Sequence, residues 1–250
     1  MASVSEGKFR DEIDEHLSED ARLDRRRYVF ELPVRLYHWI LFFCMIVLIA
    51  TGLWMEWASP STFGPAYQKF WFGTLREIHI ATGYVLVAAT LVRIYWAFVG
   101  NVWSRQIFIV PLFRLKFWKS VFAVMREYSF LDQSPPRKWI GHNPLSQLSM
   151  MGYMIILIFT LVTGLALVGL NQGADHWASI LFGWLTPLLG GPAALVAWHS
   201  LGMWLNIAFI IIHIYMVVRE DVMSRQSITE TMIHGWRMYK DDKPSKTEEV

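Results

Sequence analysis

The chain is 250 residues long, 54% hydrophobic and 18% charged, with 13 Trp and a 15% aromatic share. Those values exclude an ordinary soluble domain and fit a protein that lies in a bilayer with aromatic belts at its interfaces. A net charge of +2 supplies no basic field for nucleic acid. The single cysteine, Cys44, excludes an intrachain disulfide, a cysteine-held iron–sulfur cluster and a CxxCH covalent haem site.

The first 30 residues open with MASVSEGKFRDEIDEHLSEDARLDRRR, which is polar and charged and has no apolar core or small-residue cleavage site. They read as a cytoplasmic extension and not as a signal peptide, with His16 solvated. A transmembrane domain is expected over residues 31–225. It carries apolar runs at about 36–56, 78–99, 147–169 and 196–218, each near the roughly 20 residues a spanning helix needs. Pro, Gly and charge fill the connections, in SPSTFGP (59–65), DQSPPRK (132–138) and LLGGPAA (188–194). Cys44, in the first run, reads as a small core residue. Segment 107–130 mixes basic and apolar residues and is broken by Pro111, so it reads as an interfacial helix rather than a fifth span. Residues 226–250 read as a cytoplasmic tail.

Lys and Arg are distributed unevenly. Seven fall from Lys8 to Arg35, two (Lys69 and Arg76) between the first and second runs, and eight from Arg93 to Lys138. None lies between the third and fourth runs, and six fall from Arg219 to Lys246. The positive-inside rule then places both termini and the 100–146 loop in the cytoplasm. The expected fold is an all-α integral membrane protein, a four-transmembrane-helix bundle with both termini cytoplasmic.

Four histidines lie in or at the ends of these runs: His38, His79, His199 and His213. An ionisable side chain at that depth is costly and marks function. His199 and His213 are fourteen residues apart, roughly 21 Å along one helix and about 40° short of four full turns. With the termini inside, His79 and His199 share the outer layer, and His38 and His213 share the inner one. Each pair takes one ligand from the fourth helix and one from another, which is how packed helices hold a haem by two histidines. The plainer reading of a lone intramembrane histidine is structural hydrogen bonding, but four in two depth-matched pairs favour iron. No carboxylate or cysteine beside either pair favours another metal. Gly52, Gly83 and Gly202 would let a flat macrocycle approach the backbone, or serve as ordinary packing residues. Arg93, inside the second run, would pair with a haem propionate or snorkel to the headgroups.

These residues also carry a family likeness. From Tyr28 onward the chain resembles the cytochrome b subunit of membrane-bound nickel–iron hydrogenases. The matching segments are PVRLYHW (33–39), RIYWAFVGN (93–101), GHNPL (141–145), WHSLGMW (198–204), HIYMVVREDVMSRQS (213–227) and TMIHGWRMYK (231–240). The resemblance implies a subunit of the bacterial inner (cytoplasmic) membrane with two non-covalent b haems, whose ligands fall on His38, His79, His199 and His213. It implies electrons taken at the periplasmic face from the iron–sulfur chain of the hydrogenase small subunit, itself joined to the large subunit, and delivered to membrane quinone. It implies a quinone site at a histidine before the third helix and a tyrosine just after the last ligand, which here are His142 and Tyr215. His142 reads equally as a loop residue setting the helix entry, and Tyr215 as an interfacial anchor.

The expected activity of this chain is therefore electron transfer, with hydrogen chemistry on partner subunits. The nearest alternative is a cytochrome b subunit of formate dehydrogenase or thiosulfate reductase type, against which the GHNP and REDVMSRQS segments weigh. A haem-free membrane anchor or transporter, with the histidines as polar glue or a proton path, is the alternative of another class. Trp177, Phe182 and Trp184, in an outer loop over 170–195, are expected to meet the small subunit or the membrane interface. His176 and His234 acquire no role from sequence.

Overall fold

The computed structural model describes residues 26–57, 70–129, 131, 141–224 and 228–238. The extension before residue 26, His16, Lys69, the SPSTFGP and DQSPPRK connections and the tail beyond 238 lie outside the described residues. In chain order the elements are β1 (Arg26–Tyr28), α1 (Leu32–Glu56), α2 (Trp71–Val99), α3 (Val102–Arg105), α4 (Leu115–Tyr128) and α5 (Pro144–Gln172). They continue with α6 (Trp177–Phe182), α7 (Leu185–Leu188), α8 (Pro192–Ser224), α9 (Ile228–His234) and β2 (Trp236–Met238). The helices α1, α2, α5 and α8 are each long and apolar enough to cross a bilayer, which makes this a multi-pass membrane protein.

Each long helix outruns its apolar run, for local reasons. Pro33 opens α1 at a position where its missing N–H costs nothing. Asn143 caps α5 by accepting the Ser146 N–H at 2.8 Å, and Pro144 follows it. Gly190 and Gly191, at φ of 97° and 102°, turn the chain into Pro192 at the start of α8. At its far end α8 carries Arg219, Glu220 and Asp221 beyond the apolar run. The interfacial helix is shorter than expected. Residues 107–114 form turns around Pro111, and only α4 is helical. Phe117, Val121 and Val124 make its buried stripe, while Phe122 and Met125 are exposed.

The bundle is built from two tight pairs. α1 packs along α2 and α5 along α8, while the α2–α5 and α8–α1 contacts that close the ring are much sparser. Tyr37, Cys44, Met45, Leu86, Tyr153 and Leu157 form the main buried cluster, and Cys44 is a core residue there. A smaller cluster of Ala166, Leu185 and Leu195 lies under the short helices α6 and α7. At this α6 end, Ser179 donates to the Gly169 carbonyl at 2.8 Å and so fastens α6 to α5.

The all-α expectation misses one element. β1 and β2 pair antiparallel, Arg26 opposite Met238 and Tyr28 opposite Trp236, so the described parts of the two chain ends meet. Gly235, at φ 86°, accepts the Val29 N–H at 2.8 Å, and a Cβ there would strike the Phe30 carbonyl. Arg237 donates to the Gly141 carbonyl at 2.7 Å, and Trp39 to that of Met232 at 3.1 Å. Glu31 accepts from Trp96 at 2.8 Å and from the Asn101 N–H at 2.9 Å, tying α1 to the end of α2. The Tyr128 hydroxyl donates to Glu220 at 3.0 Å and accepts from Asn143 at 2.7 Å, joining α4, α8 and α5. Burial, and then the Glu220 carboxylate, push the Tyr128 phenol well above its ordinary range, so it stays a donor.

Arg237→Leu removes a buried charged donor and leaves the Gly141 carbonyl short of a partner. A stability loss of about 1–3 kcal/mol is expected. Limited proteolysis should then cut the C-terminal segment faster than in the unaltered protein, and an unchanged cleavage rate would show that the ribbon is not a latch.

Candidate functional site

His79 on α2 and His199 on α8 face one another across the seam between the helix pairs, toward the α6 end. Their ring centroids are 6.3 Å apart and their planes lie at 75°. Each ring leans on a threonine of the neighbouring helix. His79 Nδ1 lies 2.7 Å from the Thr51 hydroxyl of α1, and His199 Nδ1 lies 3.1 Å from that of Thr163 of α5. Both hydroxyls also donate to their own helices, Thr51 to the Val47 carbonyl at 2.7 Å and Thr163 to that of Phe159 at 3.0 Å.

The two rings border a cavity of about 570 Å³ lined by all four long helices. Leu48, Gly83, Leu161 and Met203 give it apolar walls, the balance expected of a cofactor site. Glu56, Arg76 and Asn171 stand at the helix ends that form its mouth, and Asn206 lies at its floor. Asn206 is 1% exposed and donates to the Gly202 carbonyl at 2.7 Å and to Thr160 at 3.1 Å. Its Oδ1 has no partner among the described residues. Seven residues from either histidine of α8, it shares their face at mid-depth.

These residues fit an iron held by two imidazoles. Metal–nitrogen bonds of about 2 Å, plus the distance from each nitrogen to its ring centre, place two axial imidazole centroids about 6 Å apart. The His79–His199 separation matches. Among the described residues no cluster of three or more His, Cys, Asp or Glu offers another metal site.

Toward the ribbon end, His38 of α1 lies close enough to His213 of α8 for their charges to interact. His213 stacks on Phe209 at 5.6 Å and 10°, and Phe209 stacks on Tyr153 at 4.0 Å and 13°. His38 Nδ1 and Arg93 Nη1 are buried without hydrogen-bond partners among the described residues, and the Tyr37 hydroxyl lies beside that of Thr90. Unmatched polar atoms in an apolar bundle are what a polar ligand would satisfy. Arg93 does not snorkel. It is 3% exposed, with its guanidinium 4.9 Å over the Phe108 ring and Nη2 donating to the Ser104 carbonyl.

His142 and Tyr215 are not brought together. His142 sits in the turn before α5, its ring 5.4 Å from that of Phe30 and its Nδ1 buried without a partner among the described residues. Burial, then the charges of Arg237 and Arg93, hold it down to about 4, so at neutral pH it is an uncharged imidazole. His213 also lies within electrostatic reach of it. Tyr215 is 61% exposed on the outward face of α8 and lines a shallow groove with Ile214, Val218 and Val222.

Of the three glycines singled out by sequence, Gly52 lies beside the His79 ring, 3.5 Å from where a Cβ would sit, and Gly83 opens onto the cavity. Gly202 instead lets α8 close on Thr160. Sequence reasoning missed Gly164, where a Cβ would come within 3.0 Å of the His199 ring, as well as Thr51, Thr163 and Asn206. A polar residue on a histidine-bearing face was the available signal for Asn206. Threonines that bond their own helix carry none. His176 and His234 are turn formers, accepting the Ala178 N–H at 3.3 Å and the Trp236 N–H at 3.0 Å through Nδ1. Trp177 and Trp184 are exposed at the α6 end, and Trp177 packs 6.1 Å from Tyr84.

Four long apolar helices that bring His79 opposite His199 across an inner seam form the kind of frame in which a bundle holds a b-type haem. The model of the prokaryotic cytochrome b561 family matches residues 29–235, and the chain belongs to that family. It is 44% identical over 227 residues to a protein of Azotobacter vinelandii described as "Probable Ni/Fe-hydrogenase B-type cytochrome subunit", covering 90% of this chain and 94% of that one. It is 42% identical over 226 residues to the "Probable Ni/Fe-hydrogenase 1 B-type cytochrome subunit" of Escherichia coli K12, covering 88% and 94%.

The glycines separate packing from cavity. Gly202→Val should cost about 1–3 kcal/mol by overpacking against Thr160, whereas Gly83→Ala should leave stability unchanged. Thermal unfolding in detergent reads the difference, and equal effects would overturn the assignment.

Proposed function

We propose that this chain is the di-haem cytochrome b subunit of a nickel–iron hydrogenase, carrying electrons from the periplasmic face of the inner membrane to quinone. The observation that carries the reading is the facing His79–His199 pair, at one-iron separation in a cavity walled by all four helices. The names of the relatives favour a hydrogenase over a formate dehydrogenase or thiosulfate reductase partner. The lysine and arginine count favours cytoplasmic termini, which makes the α6 end periplasmic.

On this reading His79 and His199 hold the outer haem, and His38 and His213 the inner one. A one-electron relay across the bilayer is the chemistry that two bound b haems supply. The chain's own part is to fix both sites in a dry interior, with Leu86, Leu157 and Phe209 filling the space between the layers. Arg93 Nη1 is the donor for an inner propionate, a charge-assisted bond that its burial strengthens. His142, uncharged and close to His213, donates or accepts one hydrogen bond at a quinone oxygen, with Tyr215 bordering the approach from the lipid side. Trp177 and Trp184 meet the hydrogenase small subunit, through which the large subunit is joined.

A reduced-minus-oxidised spectrum of the complex should show b-type bands, and their absence would remove the haem reading. His79→Ala or His199→Ala should delete one haem, and His38→Ala or His213→Ala the other. Loss of the same haem in His79→Ala and His213→Ala would overturn the pairing. His142→Ala should leave both haems reducible by hydrogen while quinone reduction falls about tenfold or more. Unchanged quinone reduction in His142→Ala and Tyr215→Phe would remove both from the site. A photocrosslinker in place of Trp177 or Trp184 should capture the small subunit, and capture of lipid alone would argue for the membrane interface.

A further inference from the structure

Building on the proposed haem ligation at His79 and His199, we infer that Thr51 and Thr163 are positioning residues that fix the tautomer, the ring plane and the electron-donating strength of those two ligands. A hydroxyl has one proton. Thr51 spends it on the Val47 carbonyl at 2.7 Å, and Thr163 on the Phe159 or Thr160 carbonyl, each at 3.0 Å. Each Oγ1 therefore meets its histidine as an acceptor. With Nε2 given to iron the proton sits on Nδ1, and the contacts of 2.7 Å to His79 and 3.1 Å to His199 make the threonine oxygens its acceptors, His199 having the Thr160 carbonyl as a further one. Nε2 is left with its lone pair, the state an iron ligand needs.

The same contacts set the rings' rotation. With Nδ1 tied to a neighbouring helix, neither imidazole can turn about its bond to a metal, and the planes stay at 75°. All four long helices thus serve one site, α2 and α8 with a ligand and α1 and α5 with its brace. The His38–His213 site is built otherwise. His38 Nδ1 has no partner among the described residues, and His213 is oriented by stacking on Phe209. A hydrogen bond from Nδ1–H raises ligand basicity and so favours ferric over ferrous iron. Two such braces would lower the potential of a haem held at this site relative to one held by unbraced histidines.

The test is redox titration and low-temperature electron paramagnetic resonance of the intact complex carrying Thr51→Val or Thr163→Val, which keep the side-chain shape and remove the acceptor. The haem that disappears in His79→Ala identifies the site being read. Its midpoint potential should rise, by up to about a tenfold change in the ferric-to-ferrous equilibrium, which is about 59 mV for one electron. The ferric resonance signal should change with it, and haem affinity should fall about tenfold or more. The other haem should keep its potential and signal. Thr51→Ser and Thr163→Ser should restore the unaltered values, and loss of haem in the valine variants alone counts in favour. Unchanged potential and signal at full haem content would overturn the inference, as would serine variants that behave like the valine ones. An unaltered complex lacking b-type haem would instead overturn the ligation on which the inference rests.

Discussion

Inside a bilayer no water completes a hydrogen bond, so every polar side chain of the bundle must be answered by another part of the bundle. That constraint sorts the contacts of this protein into two kinds. Thr51 to His79 joins α1 to α2, while Thr163 to His199 and Asn206 to Thr160 join α5 to α8. All three lie within the tightly packed pairs. The facing of His79 and His199 and the electrostatic interaction of His38 with His213 instead cross from one pair to the other. The chain therefore behaves as two tightly packed hairpins whose seam is left thin, and the seam is where a ligand would do the joining.

The ribbon end answers the same demand with different means. It lies where helices give way to turns, and buried backbone carbonyls need donors from side chains. Arg237 serves Gly141, Asn101 serves Val29 at 3.0 Å, and Glu31 and Tyr128 each tie together residues far apart in sequence. This end has a polar framework where the α6 end has an apolar cavity with a polar rim.

Hydropathy was a good guide to the spans because apolar length is what a bilayer selects. It missed their ends, since Asn143, Gly190 and Gly191 set boundaries through backbone geometry and polar turns such as Arg219 to Asp221 stay helical outside the apolar run. Fourteen residues between His199 and His213 on one helix face is a strict geometric expectation, and the structure brings His79 opposite His199. The braces were not legible, since Thr51 and Thr163 look like any threonine bonded to its own helix. The ribbon was not, since three residues each of RRY and WRM pair across almost the whole chain. Tyr215, two residues beyond His213, is turned to the outside of α8, as the helix period requires.

The pairing of Arg26 with Met238 also imposes an order on biosynthesis. Strand β1 emerges from the ribosome first but has no partner until all four spans and α9 have followed. A contact of such long range forms late, because the loop it closes is nearly the whole polypeptide. Until then the α1–α2 hairpin is held to the other half only by the sparse seam contacts, and the space between the halves is at its most accessible. The ribbon can therefore close only after α9 and β2 have been made, so the clasp at this end of the bundle is a late contact and not a nucleus.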